Sequence, residues 1–476
     1  MFKFINSIIE KNKNSYISDG NKKETFENFW EDSKKYGDII KEKISSKLKI
    51  KCAILCEKNI NTAKAILACW YAGFIPIPLS LNYGWQTCRN IMDNTKPDIV
   101  LKDVDIEITT NPDRVITNED MKELKDVILL MSTSGTSGKP KTAMISKKGL
   151  IKNVEAIAKY FKITNNDNIL IARPLYHCAV LTGEFLTALY TGTNIYFMDG
   201  AFNPAGIASY ADKFNITVLC GTPTFMYNLA IFYENHRKKD ETINNKINIK
   251  SIAISGECLT LFAAKKIQEM FKETQIYNVY GLTEASPRVS YLEPKYFDKY
   301  PESVGIGISG VNIKIIDGEV YVKSASLMKG YYKNKELTEK VMVFHSPSQA
   351  QAWQSSSGNI WLKTGDAGHI DNNGFLYIKG RIDDMIIKAG MNIYPKEIEN
   401  KLIEIKEIKA VSAYSVKNGI SEEIVIDIVP ETYDKLNLKE WYKLISAVLP
   451  PYMMPSKINI LTELNKNGSG KVVHAK

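Results

Sequence analysis

Ser132, Thr133, Ser134, Gly135, Thr136, Ser137, Gly138, Lys139, Pro140 and Lys141 form one unbroken run. Glycines let backbone N–H groups close on an anion, hydroxyls add donors, and lysines add diffuse positive charge. The run therefore reads as a phosphate-gripping loop. The P-loop of nucleoside triphosphatases has four residues between its glycines and Ser or Thr after its lysine. Here only two residues separate Gly135 from Gly138, and Pro140 follows Lys139. This chain grips phosphate by another route.

Two further stretches bear chemistry. Tyr280 to Glu284 (Tyr-Gly-Leu-Thr-Glu) supplies an aromatic face, a hydroxyl and a carboxylate within five residues. A carboxylate beside phosphates is repelled unless a cation lies between them, so Glu284 reads as a Mg²⁺ ligand. Asp366, in Lys363-Thr-Gly-Asp366, follows an apolar run at 360–362 and has the oxygens to accept from two ribose hydroxyls. Arg381 and Asp383 come soon after.

These residues need a frame. Apolar runs at 50–55, 99–101, 127–131, 168–172, 193–198, 218–221, 252–256 and 276–279 alternate with helical stretches at 61–71, 148–162, 184–190 and up to 271. Strand, helix, strand in repetition implies a parallel sheet covered by helices, an α/β fold. Ligands of such sheets sit beyond the carboxyl ends of the strands. The 132–141 loop, His177, Gly256–Glu257 and Tyr280–Glu284 all fall at such ends, which makes them one candidate site. From about Ser303 short alternating strands suggest a small β-barrel or sheet. A Ser- and Gln-rich stretch at 345–358 reads as an exposed loop. From about Asp383 the pattern is a compact α+β unit.

Composition narrows the class. The 476 residues carry a net charge of +9, but the lysines are dispersed, which argues against nucleic-acid binding. Seven cysteines without a Cys-x-x-Cys pair suggest reduced thiols and a cytoplasmic protein. The five histidines are scattered, so no metal cage is visible. Residues 65–79 are interrupted by Gly73, Pro76 and Pro78 and fall short of the roughly 20 residues a membrane span requires.

The loop, Tyr280–Glu284, Asp366, Arg381 and Asn467-Gly-Ser-Gly-Lys471, in this order, resemble the motifs of the adenylate-forming superfamily, the acyl- and aryl-CoA synthetases, luciferases and peptide-synthetase adenylation domains. The resemblance implies a large N-terminal domain of stacked, parallel-rich α/β sheets plus a small β-barrel over 1–382. A small mobile α+β lid over 383–476 follows, hinged at Asp383. It implies ATP and Mg²⁺ as cofactors. Thr133, Ser134, Gly135, Thr136, Ser137, Gly138, Lys139 and Lys141 would hold the β- and γ-phosphates. Gly256 and Glu257 would lie along the adenine, Asn278 would bond its amino group, and Tyr280 would stack on the ring. Thr283 would contact the α-phosphate, Glu284 the magnesium, and Asp366 with Arg381 the ribose. Lys471 would bridge substrate carboxylate and α-phosphate. Two positions depart from the family: Thr142 stands where Gly is usual, and Ile387 where many members have lysine.

Amino-acid-activating members place an Asp at or just after the position of His177, and this chain has none there. The substrate is expected to be an acid without an α-amine, an aryl acid such as a hydroxybenzoate or a short to medium acyl chain. His177 resembles a gate residue, and Cys178, Leu181, Phe225, Ser255 and Gly281 would line a mostly apolar slot. Glu184 is expected as a helix-surface charge, and Arg288 either to approach a polar substituent of the acid or, the favoured reading, to pair on the surface. The acceptor would be CoA or a carrier protein.

Overall fold

The computed structural model describes residues 1–42, 50–55, 59–80, 85–102, 109–110, 118–133, 141–198, 203–237, 248–344, 360–388, 391–418, 421–432 and 436–464. Ser134 to Lys139 of the loop and Lys471 lie outside them. Contacts divide the chain into one unit of Met1–Lys314 with Tyr321–Thr364 and another of Ile315–Val320 with Gly365 onward. The second unit thus begins before Asp366, whereas the motifs place the division at 382/383.

In the first unit a nine-stranded sheet runs in the order Ile306–Gly307, Arg288–Tyr291, Gln275–Gly281, Ser251–Ile254, Val218–Gly221, Asn168–Ile171, Asn194–Phe197, Tyr16–Ser18, Lys23–Thr25. The strands from Gln275–Gly281 to Tyr16–Ser18 are mutually parallel. Gly221 stands opposite Ile254, and Ile254 opposite Asn278, so two of these strands finish level while the third runs on to Gly281. Their near-continuous Val/Ile/Leu content is what strands covered on both faces require. A second sheet sets Lys51–Ile54 parallel to both Ile75–Pro78 and Ile99–Leu101.

Val127–Thr133 departs from expectation. It pairs antiparallel with Lys141–Ser146 as a two-stranded hairpin outside the large sheet. The run is buried on both faces, so hydrophobicity alone does not separate a parallel from an antiparallel setting. The loop therefore closes a hairpin. Lys147–Phe161 follows at once, capped by the Ser146 side chain, which accepts from the Gly149 N–H. Leu150, Val154, Ile157 and Phe161 bury its inner face.

Where a plain helix over 184–190 is expected, a turn at Cys178–Val180 opens into a π-helix at Leu181–Leu186 and closes through Thr187–Thr191. Single π turns are uncommon inside helices and recur at functional sites.

The second unit is α+β, as expected. Strands Ile408–Asn418, Ser421–Pro430 and Lys457–Ile460 form one sheet. The helices Pro395–Leu402 and Leu438–Ser446 pack Ile398, Leu402, Trp441 and Ile445 into its core. A capping box between Asn437 and Glu440 starts the second helix.

Candidate active site

Thr133 and Lys141 face each other where the hairpin opens into the loop. The outer edge of the second strand is held by residues 329–332. Lys329 N–H donates to Met144 O at 2.8 Å, Met144 N–H to Gly330 O at 2.9 Å, and Tyr332 N–H to Thr142 O at 2.8 Å. The same segment grips the glutamate turn. Met328 N–H donates to Glu284 O at 2.7 Å, and the Tyr331 hydroxyl to Glu284 Oε1 at 2.7 Å. Lys141 Nζ lies 5.8 Å from the Tyr331 ring centre. Lys141, which closes the loop, and Glu284 therefore meet at one tyrosine.

Glu284 rides on a single 3₁₀ turn, Thr283–Ala285. Asn153, buried on the 147–161 helix, clamps that turn from beneath. Its amide donates to Ala285 O at 3.2 Å and to Arg288 O at 2.9 Å, and its Oδ1 accepts from Arg288 N–H at 3.0 Å. Neither Tyr331 nor Asn153 is evident from local motifs. One carboxylate oxygen of Glu284 is engaged by Tyr331, and no cation pairs with the other among the described residues. No group of three or more His, Cys, Asp or Glu residues gathers there either. A lone carboxylate that shares its cation with phosphate oxygens fits the way Mg²⁺ is bound in nucleotide enzymes.

Gly256, two residues past the strand Ser251–Ile254, sits at φ +98°, a conformation that favours glycine. The Thr224 hydroxyl donates to Glu257 Oε2 at 2.7 Å. Asn278 is buried, and its amide donates to Pro301 O at 3.1 Å and Ser303 O at 2.9 Å. It braces the chain at 301–303. Tyr280 and Thr283 are half-buried. Gly281 has a packing reason: a Cβ there would meet Pro287 O at 2.4 Å.

Of the acid-pocket candidates, Leu181 lies on the π turn and Cys178 on the turn before it, Phe225 is on the helix Pro223–Arg237, Ser255 follows the strand Ser251–Ile254, and Gly281 ends the strand Gln275–Gly281. Cys178, Leu181 and Ser255 are buried, and His177 and Phe225 are half-buried. Burial, with Arg173 nearby, lowers the His177 imidazole to about 4. Burial pushes the Cys178 thiol up to about 12, so it is not a nucleophile near neutral pH.

Two expectations are corrected here. Glu184 is not on the surface: it is 1% exposed and paired through Oε1 with Arg173 Nη2 at 2.6 Å. Burial raises its carboxyl above the usual carboxylate range even with Arg173 beside it. Arg288 is not a surface residue either; it is 5% exposed. Charged residues are buried this deeply only under tertiary constraint, and a single sequence does not display that constraint.

In the second unit Asp366 and Arg381 are directly opposed across a hairpin, with Arg381 Nη1 donating to Asp366 Oδ1 at 2.8 Å. Gly365, at φ +71°, makes room for that guanidinium: a Cβ there would meet Arg381 Nη2 at 2.6 Å. Asp383 is exposed on the turn Ile382–Asp384, and Ile387 is 56% exposed.

A hairpin whose second strand brings Lys141 to the tyrosine that holds Glu284 suits a triphosphate sharing its cation with that glutamate, the setting for ATP-dependent activation of an acid. Residues 9–332 match the AMP-binding enzyme family, and the chain belongs to it. It is an AMP-forming acid–thiol ligase whose cofactors are ATP and Mg²⁺. It is 26% identical to a feruloyl-CoA synthase of Amycolatopsis over 74% of this chain and 69% of that protein. It is 29% identical to a 2-succinylbenzoate–CoA ligase of Lactococcus lactis over 77% of this chain and 73% of that protein. Its fold matches the o-succinylbenzoate CoA synthetase of Bacillus subtilis with a TM-score of 0.82 at 22% identity, covering 98% of this chain and 96% of the other. MatB from Rhodopseudomonas palustris gives a TM-score of 0.83 at 20% identity, with 99% and 97% covered. No described helix is long and apolar enough to cross a membrane.

Proposed function

We propose that the acid is a carboxylic acid without an α-amine, with an aryl acid favoured, and that the acceptor is a phosphopantetheine thiol, CoA in preference to a carrier protein. The observation that carries the ligase chemistry is the meeting of Lys141, Tyr331 and Glu284. Two facts support the choice of acid. Glu184 is claimed by Arg173 and is not free to hold a substrate ammonium. Relatives of the chain include enzymes named for feruloyl and 2-succinylbenzoyl substrates.

A carboxylate oxygen of the acid attacks the α-phosphorus of ATP and pyrophosphate leaves. The thiol sulfur then attacks the acyl carbonyl carbon and AMP leaves. Glu284 would hold Mg²⁺, which when bound would neutralise phosphate charge. Thr133, Lys139, Lys141 and the intervening loop residues hold the outer phosphates, and Thr283 the α-phosphate. Gly256, Glu257, Asn278 and Tyr280 bound the adenine, and Asp366 with Arg381 takes the ribose. Lys471 serves the first half-reaction, and a lid turning at Asp383 exposes the adenylate to the thiol for the second. Cytoplasmic residence goes with the reduced thiols; none of the six described cysteines is in a disulfide.

ATP–pyrophosphate exchange across aryl, aliphatic and amino acids tests the acid. Exchange with aryl acids is expected, and exchange with an amino acid alone would overturn the reading. Thioester formation with CoA against a phosphopantetheinylated carrier protein then decides the acceptor.

A further inference from the structure

Arg288 begins the strand Arg288–Tyr291, and its backbone is fixed at both ends by Asn153. Its side chain crosses to the π turn. A Cβ on Gly183 would lie 2.9 Å from Arg288 Nη2, so the absence of a side chain at 183 is what admits the guanidinium. Arg288 is 5% exposed and its Nε has no hydrogen-bond partner. No carboxylate pairs with it directly among the described residues. Glu184 is a buried acid that interacts electrostatically with it, and it is already paired with Arg173. Two guanidiniums therefore share one carboxylate. The other titratable groups that interact with this cluster are His177, lowered to about 4 and so neutral near neutral pH, Cys178 and Cys220, held as thiols by burial, and Tyr160. Glu284, which acts on Cys178, is committed to the metal.

A buried cation without its own anion is costly, and an occupant that brings an anion offsets that cost. The acid of the reading above is the occupant at hand. Its reacting carboxylate cannot remain as that anion, because joining the α-phosphorus removes its charge. We propose that Arg288 is a specificity-determining residue that receives a second carboxylate on the substrate, so the enzyme activates diacids in preference to monoacids of the same skeleton. This rests on the ligase reading and adds the substrate's second charge to it.

The test is ATP–pyrophosphate exchange on two matched pairs: hexanoate with adipate, and 3-phenylpropanoate with 3-(2-carboxyphenyl)propanoate. The wild-type protein is expected to favour the diacid in at least one pair by about tenfold or more. Arg288→Met is expected to lower the diacid-to-monoacid ratio by about 10²-fold, and Arg288→Lys by less. Gly183→Ala, which crowds the guanidinium without removing it, should move the ratio in the same direction. It serves as the second variant should Arg288→Met fail to fold. A wild-type preference for the monoacid in both pairs would overturn the proposal. So would an equal loss on both members of a pair in Arg288→Met, because a structural role lowers them together. Exchange with none of the four acids would strike at the ligase reading itself, whereas exchange with monoacids alone removes only the role of Arg288.

Discussion

The Tyr331 hydroxyl donates to Glu284 Oε1 across 2.7 Å, joining the segment that edges the phosphate hairpin to the glutamate turn. The bond fixes one oxygen of a carboxylate whose other oxygen is left for a cation. Tyr331→Phe removes the donor and keeps the ring beside Lys141. A hydrogen bond to a charged group contributes about 1.5–3 kcal/mol, but water can replace part of it in a half-buried site. The Mg²⁺ concentration for half-maximal exchange should therefore rise about 3- to 10-fold. Titrating Mg²⁺ at fixed ATP checks this. An unchanged magnesium dependence would reduce the bond to a packing role.

The Arg173–Glu184 pair, 2.6 Å apart and buried, makes a sharper demand on stability. Glu184→Gln leaves two neighbouring guanidiniums with no anion. Loss of one partner from a buried pair costs about 3–5 kcal/mol, while replacing both by apolar groups of like volume is often near neutral. Chemical unfolding should show Glu184→Gln destabilised on that scale and Arg173→Met/Glu184→Met much less so. Equal destabilisation of the single and double variants would count against the pair as the cause.

What the residue pattern reveals of this architecture, and what it conceals, follows from where each determinant acts. Gly256 and Glu284 are legible because each sits at the end of an apolar run, and strand ends are where open α/β sheets bind ligands. Tyr331 and Asn153 act on Glu284 from far along the chain, so no local spacing betrays them. Glu184 and Arg288 mislead for a different reason: an isolated charge reads as solvated until a tertiary neighbour is known. The hairpin at Val127–Thr133 misleads because burial on both faces erases the alternation that distinguishes antiparallel strands.

His177 supplies a pH dependence with a definite sign. Burial, then Arg173, lowers its imidazole to about 4, below the ordinary value near 6.5. The unfolded chain therefore binds the proton first. Stability from the neutral ring is fully present above pH ~6.5 and is lost as pH falls from there towards 4. The loss should reach about 2 kcal/mol once solvent screening is allowed for. Unfolding followed from pH 7.5 to 4 should show a shallower decline for His177→Gln than for the wild-type protein. Parallel curves would exclude the buried imidazole as the source.

The last prediction separates the two half-reactions. Attack on the α-phosphorus builds negative charge on its oxygens, and a cation placed there lowers the transition state more than the ground state. Lys471, in Gly468-Ser-Gly-Lys471, is the lysine assigned to that place by resemblance. Attack of a thiol on the finished adenylate builds its charge on the acyl carbonyl oxygen instead, where this lysine has no part. Lys471→Ala should therefore lower pyrophosphate exchange by about 10²-fold or more, while thioester formation from synthetic acyl-adenylate stays near the wild-type rate. Asp383→Pro, which restricts rotation at the assigned hinge, should instead impair one half-reaction and spare the other. If Lys471→Ala slows both steps alike, the lysine serves the fold or nucleotide binding in general, and the cation at the α-phosphate must come from elsewhere, with Lys139 and Lys141 the next to substitute.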